Sequence, residues 1–250
     1  MKKVIRKIRQ PFELNKVHLG DALELIRKVP SNSVDMVMND LPFNFQGGCE
    51  ELVQEAEGMP AKEKKYFIYD NMLKLITKEQ FRILKEGGNL VVINNPTNLF
   101  RTAWVYYEFR FRNGVPLIRP HKFAPAWYLA MQHNYMWFLY KGNPKGMWYG
   151  NTKNHAKDAL PDVWEHIRYS NGFRKGKYFH PQAIRTDLTK QILELTTKEG
   201  DLILDPFFGS GTTGEVALQM GRDFIGFELE EKHVIHAQER LKGIINGIDN

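Results

Sequence analysis

Short apolar runs alternate with longer helical patterns along most of the chain. Val17-His-Leu-Gly-Asp21 predicts a brief strand ending in a Gly-Asp turn. Residues 22–29 place Leu23, Leu25 and Ile26 at apolar positions, with Arg27-Lys28 in the last turn and Pro30 behind, which predicts an amphipathic helix. Ser33-Val-Asp-Met-Val-Met38 predicts a second strand that runs into Asn39-Asp40-Leu41-Pro42-Phe43. Over residues 65–85, Phe67, Ile68, Met72, Leu75, Ile76, Phe81, Ile83 and Leu84 recur at helical spacing, and Glu86-Gly87-Gly88 is expected to end that helix. Asn89-Leu-Val-Val-Ile93 reads as a buried strand, and Asn134-Tyr-Met-Trp-Phe-Leu-Tyr140 as another. Residues 186–198 predict a helix capped by Thr186 or Asp187, with Leu188, Ile192, Leu193 and Leu195 apolar. Leu202-Ile-Leu204 is a third apolar run, closed by Asp205 and followed by a glycine-punctuated turn and a helical pattern at Val216, Ala217, Leu218 and Met220. A last strand, Arg222-Asp-Phe-Ile-Gly-Phe227, ends in Glu228. Strands alternating with helices predict an α/β domain with a mostly parallel sheet and helices on both faces.

The turn after Asp205 carries the first chemical signal. A strand, a Gly-rich turn and a helix bring a ligand against bare backbone at a helix N-terminus. Gly209, Gly211 and Gly214 remove side chains where backbone must approach closely. Such a turn could serve many nucleotides, or simply reverse the chain. Glu228 narrows the choice, because an acidic residue ending the next strand can accept hydrogen bonds from ribose hydroxyls.

Composition adds a second signal. The net charge of +6 is unevenly spread: residues 101–180 hold 13 Lys and Arg against 4 Asp and Glu, together with all five Trp and 19 of the 31 aromatic residues. Basic side chains interleaved with aromatics mark a nucleic-acid surface, against the alternative of an aromatic core with a solvated basic rim. The single cysteine, Cys49, excludes an intrachain disulfide framework and a multi-cysteine metal site and fits a reducing compartment. His121, His133, His155 and His166 lack the spacing of a zinc site, so no metal is expected. No apolar run approaches the roughly 20 residues of a membrane span, and the basic stretch 1–10 has no apolar segment behind it, so a cytoplasmic protein is expected.

The nine residues Asp205-Pro206-Phe207-Phe208-Gly209-Ser210-Gly211-Thr212-Thr213, then Gly221-Arg222 and Phe224-Ile-Gly-Phe-Glu228, resemble the cofactor-binding half of amino-group DNA methyltransferases. The resemblance implies S-adenosyl-L-methionine (AdoMet) as cofactor, with Asp205, Pro206, Phe207, Gly209, Ser210, Gly211, Thr212 and Glu228 at its pocket. It gives Asp40-Leu41-Pro42-Phe43 a meaning that the tetrapeptide lacks alone, where it would read as an ordinary strand-end turn. Family members carry (D/N/S)PP(Y/F) at a strand end. A flipped-out base offers an exocyclic amino group with two protons; the Asp40 carboxylate can accept one and the Leu41 carbonyl the other. Pro42 limits the backbone and Phe43 supplies a ring for the base to stack on. Leu41 stands where proline is usual, and the carbonyl is the same in either case. His180-Pro181 resembles the family's HP motif on the methionine side of the pocket, although Gln-Ala-Ile-Arg185 follows it. Residues 82–92 resemble the family's helix-to-strand unit and are read as structural. Cys49 follows Gly48 and sits outside any cytosine-C5 nucleophile motif, so it is read as non-catalytic.

The tetrad precedes the basic aromatic region, which precedes the Gly-rich turn. That order resembles the β class of the family, with a circularly permuted Rossmann-like AdoMet-dependent methyltransferase fold. Under that permutation the strand before Gly20-Asp21 follows the one ending at Glu228, and Asp21 can accept from the adenine amino group of the cofactor. The resemblance spans residues 17–43, 80–93 and 180–241. It implies one methyltransferase domain over 1–250, with a target-recognition region within about 95–180; residues 101–122 and 151–178 are the candidate segments. The implied activity is methyl transfer to adenine N6 of double-stranded DNA, because Asp heads the tetrad. Cytosine N4, an RNA base, and a catalytically silent nucleic-acid-binding relative are the alternatives. A second copy of the chain and a cognate restriction enzyme are the implied protein partners, with no membrane.

Overall fold

The computed structural model describes residues 11–42, 50–123, 131–143, 164 and 184–248. Seven strands form one sheet in the order β1-β7-β6-β2-β3-β5-β4. They are β1 (Lys16–Leu19), β2 (Val34–Asp40), β3 (Leu84–Asn94), β4 (Arg110–Phe123), β5 (Met131–Tyr140), β6 (Leu202–Asp205) and β7 (Asp223–Glu228). The first five in spatial order pair in parallel, and β5 alone runs the other way. Between them lie α1 (Ala22–Ile26), α2 (Glu50–Glu55), α3 (Ala61–Ile83), α4 (Pro96–Thr102), α5 (Thr186–Thr196), α6 (Thr212–Gln219) and α7 (Glu231–Ile248).

The sheet is covered on both faces, as alternation of its side chains requires. On one face Val37, Leu90, Val92, Leu204, Ile225 and Phe227 pack with α1 and with the buried stripe of α3 at Tyr69, Met72, Leu73, Ile76 and Ile83. On the other, Met36, Met38, Val91, Ile93, Met136, Phe138, Ile203 and Phe224 pack with Leu188 and Ile192 of α5, Val216 of α6, and Val234 and Ala237 of α7. Trp164 joins this second layer, against Phe138. This is the expected α/β architecture. The permuted order is also seen: β1, first in the chain, lies at the sheet edge beside β7, with Leu19 opposite Glu228.

Several boundaries differ from expectation for identifiable reasons. α1 stops at Ile26, and the Arg82 guanidinium takes up the last carbonyls, donating to Ile26 O at 3.1 Å and Val29 O at 2.8 Å. Gly87-Gly88 does not end α3. That helix ends at Ile83, with Leu84 already extended, and both glycines lie within β3. There the register jumps, so that Leu84 to Asn89 span the same stretch as Val34 to Met36 of β2. Gly87 takes φ +78°, and a Cβ on Gly88 would sit 2.9 Å from the Lys85 carbonyl oxygen. The pair permits a bulge, a use of glycine that sequence spacing does not separate from a helix stop. At α5 neither Thr186 nor Asp187 is the cap: Arg185 holds that position, and its guanidinium pairs with the Asp187 carboxylate. The stretch 101–122, a candidate recognition segment, ends as edge strand β4, where Pro116 opposite Tyr135 is tolerated because an edge strand needs fewer ladder donors.

One buried carboxylate in β2 was not read from sequence. Asp35 accepts from Lys85 Nζ at 2.7 Å and from the Leu202 N–H at 2.9 Å, and so joins β2, β3 and the start of β6.

Candidate active site

The carboxyl ends of β6, β7 and β1 meet on one edge of the sheet. β6 delivers Asp205, which is buried, and its Oδ1 accepts from the Phe207 N–H at 3.0 Å to start the turn. Burial pushes the Asp205 carboxyl up to about 7; hydrogen bonds from Thr213 and Phe207 oppose the rise and the nearby Glu228 adds to it. Pro206 is buried and Phe207 half-buried. Gly209 and Gly211 both take positive φ, +52° and +80°, conformations that a side chain would strain, and Gly211 opens α6 as its N-cap. Thr212 and Thr213 follow, buried, in the first turn.

Phe208 pins this turn. Its ring stacks on Phe224 with centroids 5.2 Å apart and fills space that Gly214 and Gly226 leave open. A Cβ at either glycine would approach the ring to 2.7 or 2.4 Å. Glu228, half-buried at the end of β7, accepts from the Gly209 N–H at 2.8 Å through Oε2 and from the Glu230 N–H at 2.9 Å through Oε1. Arg240 on α7 braces the turn from behind. It pairs with Glu215 and donates to Ser210 O at 3.1 Å and Thr212 Oγ1 at 3.0 Å. Asp21 lies two residues past Leu19, the partner of Glu228, and the Gly20 N–H donates to the Glu228 carbonyl at 2.9 Å. Asp21 Oδ1 caps α1, accepting from Leu23 and Glu24. The three carboxylates expected on neighbouring strand ends are thus together, each engaged by backbone of its own turn.

β2 lies directly beside β6, with Val37 opposite Leu204, and carries Asp40 to the same edge. Asp40 is the last residue of the strand and half-buried. Leu41 is buried in the core, and its N–H donates to Ile93 O at 3.2 Å. Pro42 is half-buried. Phe43, Cys49, His180, Pro181 and the segment 151–178, apart from Trp164, lie outside the described residues. The next strand end, at β3, is polar. Asn94 Nδ2 donates to the Tyr69 hydroxyl at 3.2 Å, and burial raises the Tyr69 pKa. Asn95 caps α4 through the Asn98 N–H. From there α4 and the turn after it present Phe100, Trp104 and Tyr107 to solvent, 88%, 54% and 79% exposed.

This juxtaposition places a Gly-rich turn beside a strand that ends in a carboxylate and runs into Leu41 and Pro42. Residues 34–239 match the family of N6/N4-type DNA methylases. The chain belongs to this DNA methylase family. Among curated relatives, the type II methyltransferase M.BamHI of Bacillus amyloliquefaciens is 30% identical over 263 residues, covering 92% of this chain and 57% of that protein. The chain therefore spans little more than half the length of that relative. Two solved structures share the fold. The PvuII DNA methyltransferase (cytosine-N4-specific) has a TM-score of 0.71 at 21% identity, covering 92% of this chain and 89% of that one. The Thermus thermophilus protein TTHA0409, complexed with S-adenosyl-L-methionine, has a TM-score of 0.67 at 21% identity, covering 93% of this chain and 96% of that one.

Sequence reasoning missed Arg240 and Phe208 as supports of the turn in this DNA methylase family member. Arg240 sits in an ordinary helical pattern, and only the packing of α7 on the turn reveals its contacts. Phe208 carried a signal in the paired glycines Gly214 and Gly226, which make room for a ring from elsewhere in the chain.

Proposed function

We propose that this chain transfers a methyl group from AdoMet to an exocyclic amino group in double-stranded DNA, at adenine N6. The observation that carries the reading is the adjacency of β6 and β2, with the Gly-rich turn at one strand end and Asp40 at the next. The residues present fit AdoMet: Asp21, Asp205 and Glu228 supply acceptors for ribose hydroxyls and an adenine amino group, and the glycines bare the backbone at the N-terminus of α6. When bound, AdoMet supplies a methyl group on a sulfonium, which an amino nitrogen can displace in line without a covalent enzyme intermediate. The Asp40 carboxylate accepts one amino hydrogen and the Leu41 carbonyl the other, which turns the nitrogen lone pair away from the ring. The Leu41 N–H donates to the Ile93 carbonyl, which holds the Asp40–Leu41 peptide, the one directly before the Leu41 carbonyl, against β3. Phe43 stacks the base, and His180-Pro181 flank the methionine end. Asp at the head of the tetrad favours adenine N6 over cytosine N4. The exposed Phe100, Trp104 and Tyr107, with the basic side chains of residues 101–180, form the DNA surface. A second copy and a cognate restriction enzyme are the protein partners that family membership suggests.

The test uses labelled AdoMet with DNA and with RNA, followed by nucleoside analysis. The expected product is N6-methyladenine in DNA. N4-methylcytosine would overturn the choice of base, and label only in RNA would overturn the substrate. Asp40→Ala should abolish transfer while AdoMet binding stays within a few-fold; an active Asp40→Ala enzyme removes Asp40 from the mechanism.

A further inference from the structure

β5 carries a buried polar side chain that no described residue satisfies. Asn134 is 0% exposed, and among the described residues neither its Oδ1 nor its Nδ2 finds a hydrogen-bond partner. A buried amide with both ends unpaired has lost its water and gained nothing in return, so it calls for an explanation outside folding. Asn39, Thr77, Gln80 and Tyr106 also bear unpaired buried atoms, but they belong to the opposite layer, where Asn39 meets Gln80 of α3. Asn134 belongs to the layer of Asp40.

The register establishes this. Asp40 lies opposite Ile93, Ile93 opposite Met136, and Asn134 opposite Leu117. Ile93, Met136 and Leu117 all pack in the second core layer. Paired residues share a face and side chains alternate along a strand, so Asp40 and Asn134 point to one side of the sheet. β5 runs against β3, which places Asn134 two residues beyond the Asp40–Ile93–Met136 row, toward the carboxyl edge. Two strand spacings across and two residues along put the Cα atoms roughly 12 Å apart. Two short side chains, each hydrogen-bonded to one of two neighbouring nitrogens on a base, span about that distance.

We propose that Asn134 reads the target base, donating from Nδ2 to the ring nitrogen next to the amino-bearing carbon while Asp40 holds the amino group. This rests on the amino-methyltransferase reading above and adds a specificity residue to it. Adenine N1 and cytosine N3 are acceptors at that position. Guanine N1 and thymine N3 carry hydrogens beside a carbonyl, and would meet the amide donor and the Asp40 acceptor with the wrong pattern. One asparagine thus admits the two bases whose amino group at the pairing edge sits beside an acceptor nitrogen; on that edge guanine sets its amino group beside N1–H, and thymine has none. The pairing requires a donor, which an ionised carboxylate lacks.

Asn134→Leu and Asn134→Asp in the full chain separate this role from a structural one, through thermal midpoint, AdoMet binding without DNA, and methyl transfer into DNA. Asn134→Leu should melt at or above the wild-type temperature, since it removes an idle amide at similar volume, and should bind AdoMet within twofold. Both variants should lose at least tenfold in kcat/KM for DNA. A Leu variant that melts lower and binds AdoMet poorly would make Asn134 a structural residue and overturn the proposal, as would either variant with wild-type transfer. A wild-type protein that moves no methyl group into DNA overturns the amino-methyltransferase reading itself; an active wild type with indifferent variants overturns this inference alone.

Discussion

Asp205 shows how one residue can be legible in sequence while its electrostatics is not. Its place before a Gly-rich turn marks it as a strand end, but the pattern does not reveal that the carboxyl is buried beside Glu228 and lifted to about 7. An acid with a raised folded pKa binds its proton more tightly in the native state than when unfolded. Its stabilising contribution is therefore complete below the unfolded value near 4 and is lost as pH rises toward 7. Asp205→Asn mimics the protonated form at every pH. The difference in unfolding free energy between wild type and Asp205→Asn should shift against the wild type between about pH 4 and 7 and level off above. Urea unfolding across that range checks it, and a flat difference would show that Asp205 is not titrating there. Glu228 was equally legible, because it closes the next strand. Arg240 was not, since its partners Ser210, Thr212 and Glu215 are brought to it only by the packing of α7.

At the scale of elements, strands with continuous apolar runs were readable and those built by tertiary contacts were not. β2 and β6 declare themselves by burial on both faces, whereas β4 mixes arginines, Gly114 and Pro116 and is a strand only because β5 pairs with it. The glycine pair at 87–88 satisfied a helix-stop rule and is instead used inside β3. The end of β2 has a comparable subtlety at Leu41. The common family form has proline there, but here the Leu41 N–H is a ladder donor to Ile93 and its side chain fills the core below the site. Leu41→Pro should therefore not repair the motif. Losing that donor and part of the buried side chain should cost about 2–4 kcal/mol of stability. Chemical denaturation reads this directly, and a Leu41→Pro protein as stable as wild type would show that the bond to Ile93 contributes little.

Over the whole molecule, the sheet gathers onto one edge what the sequence scatters. Residues near positions 21, 228, 205, 40 and 134 come to one edge of the sheet, because β1, β7, β6, β2, β3 and β5 follow one another across it. The place of β1 beside β7 followed from motif order. What lies above the edge did not, since the exposed aromatics of α4 and the turn after it have no spacing signature of their own. Charge and stacking contribute differently to binding a polymer. Basic side chains release counterions and set the slope of affinity against salt, while an exposed ring contributes by contact with a base and leaves that slope alone. Trp104 and Tyr107 are exposed, so truncating them leaves the core intact. Trp104→Ala with Tyr107→Ala should weaken DNA binding by about tenfold or more, given about 1–3 kcal/mol for each stacked base. The thermal midpoint and the slope of log affinity against log salt should be unchanged. Fluorescence anisotropy over a salt series separates the two effects. Unchanged affinity would place the DNA surface away from α4, and a reduced salt slope would mean that the substitutions had displaced basic contacts rather than stacking ones.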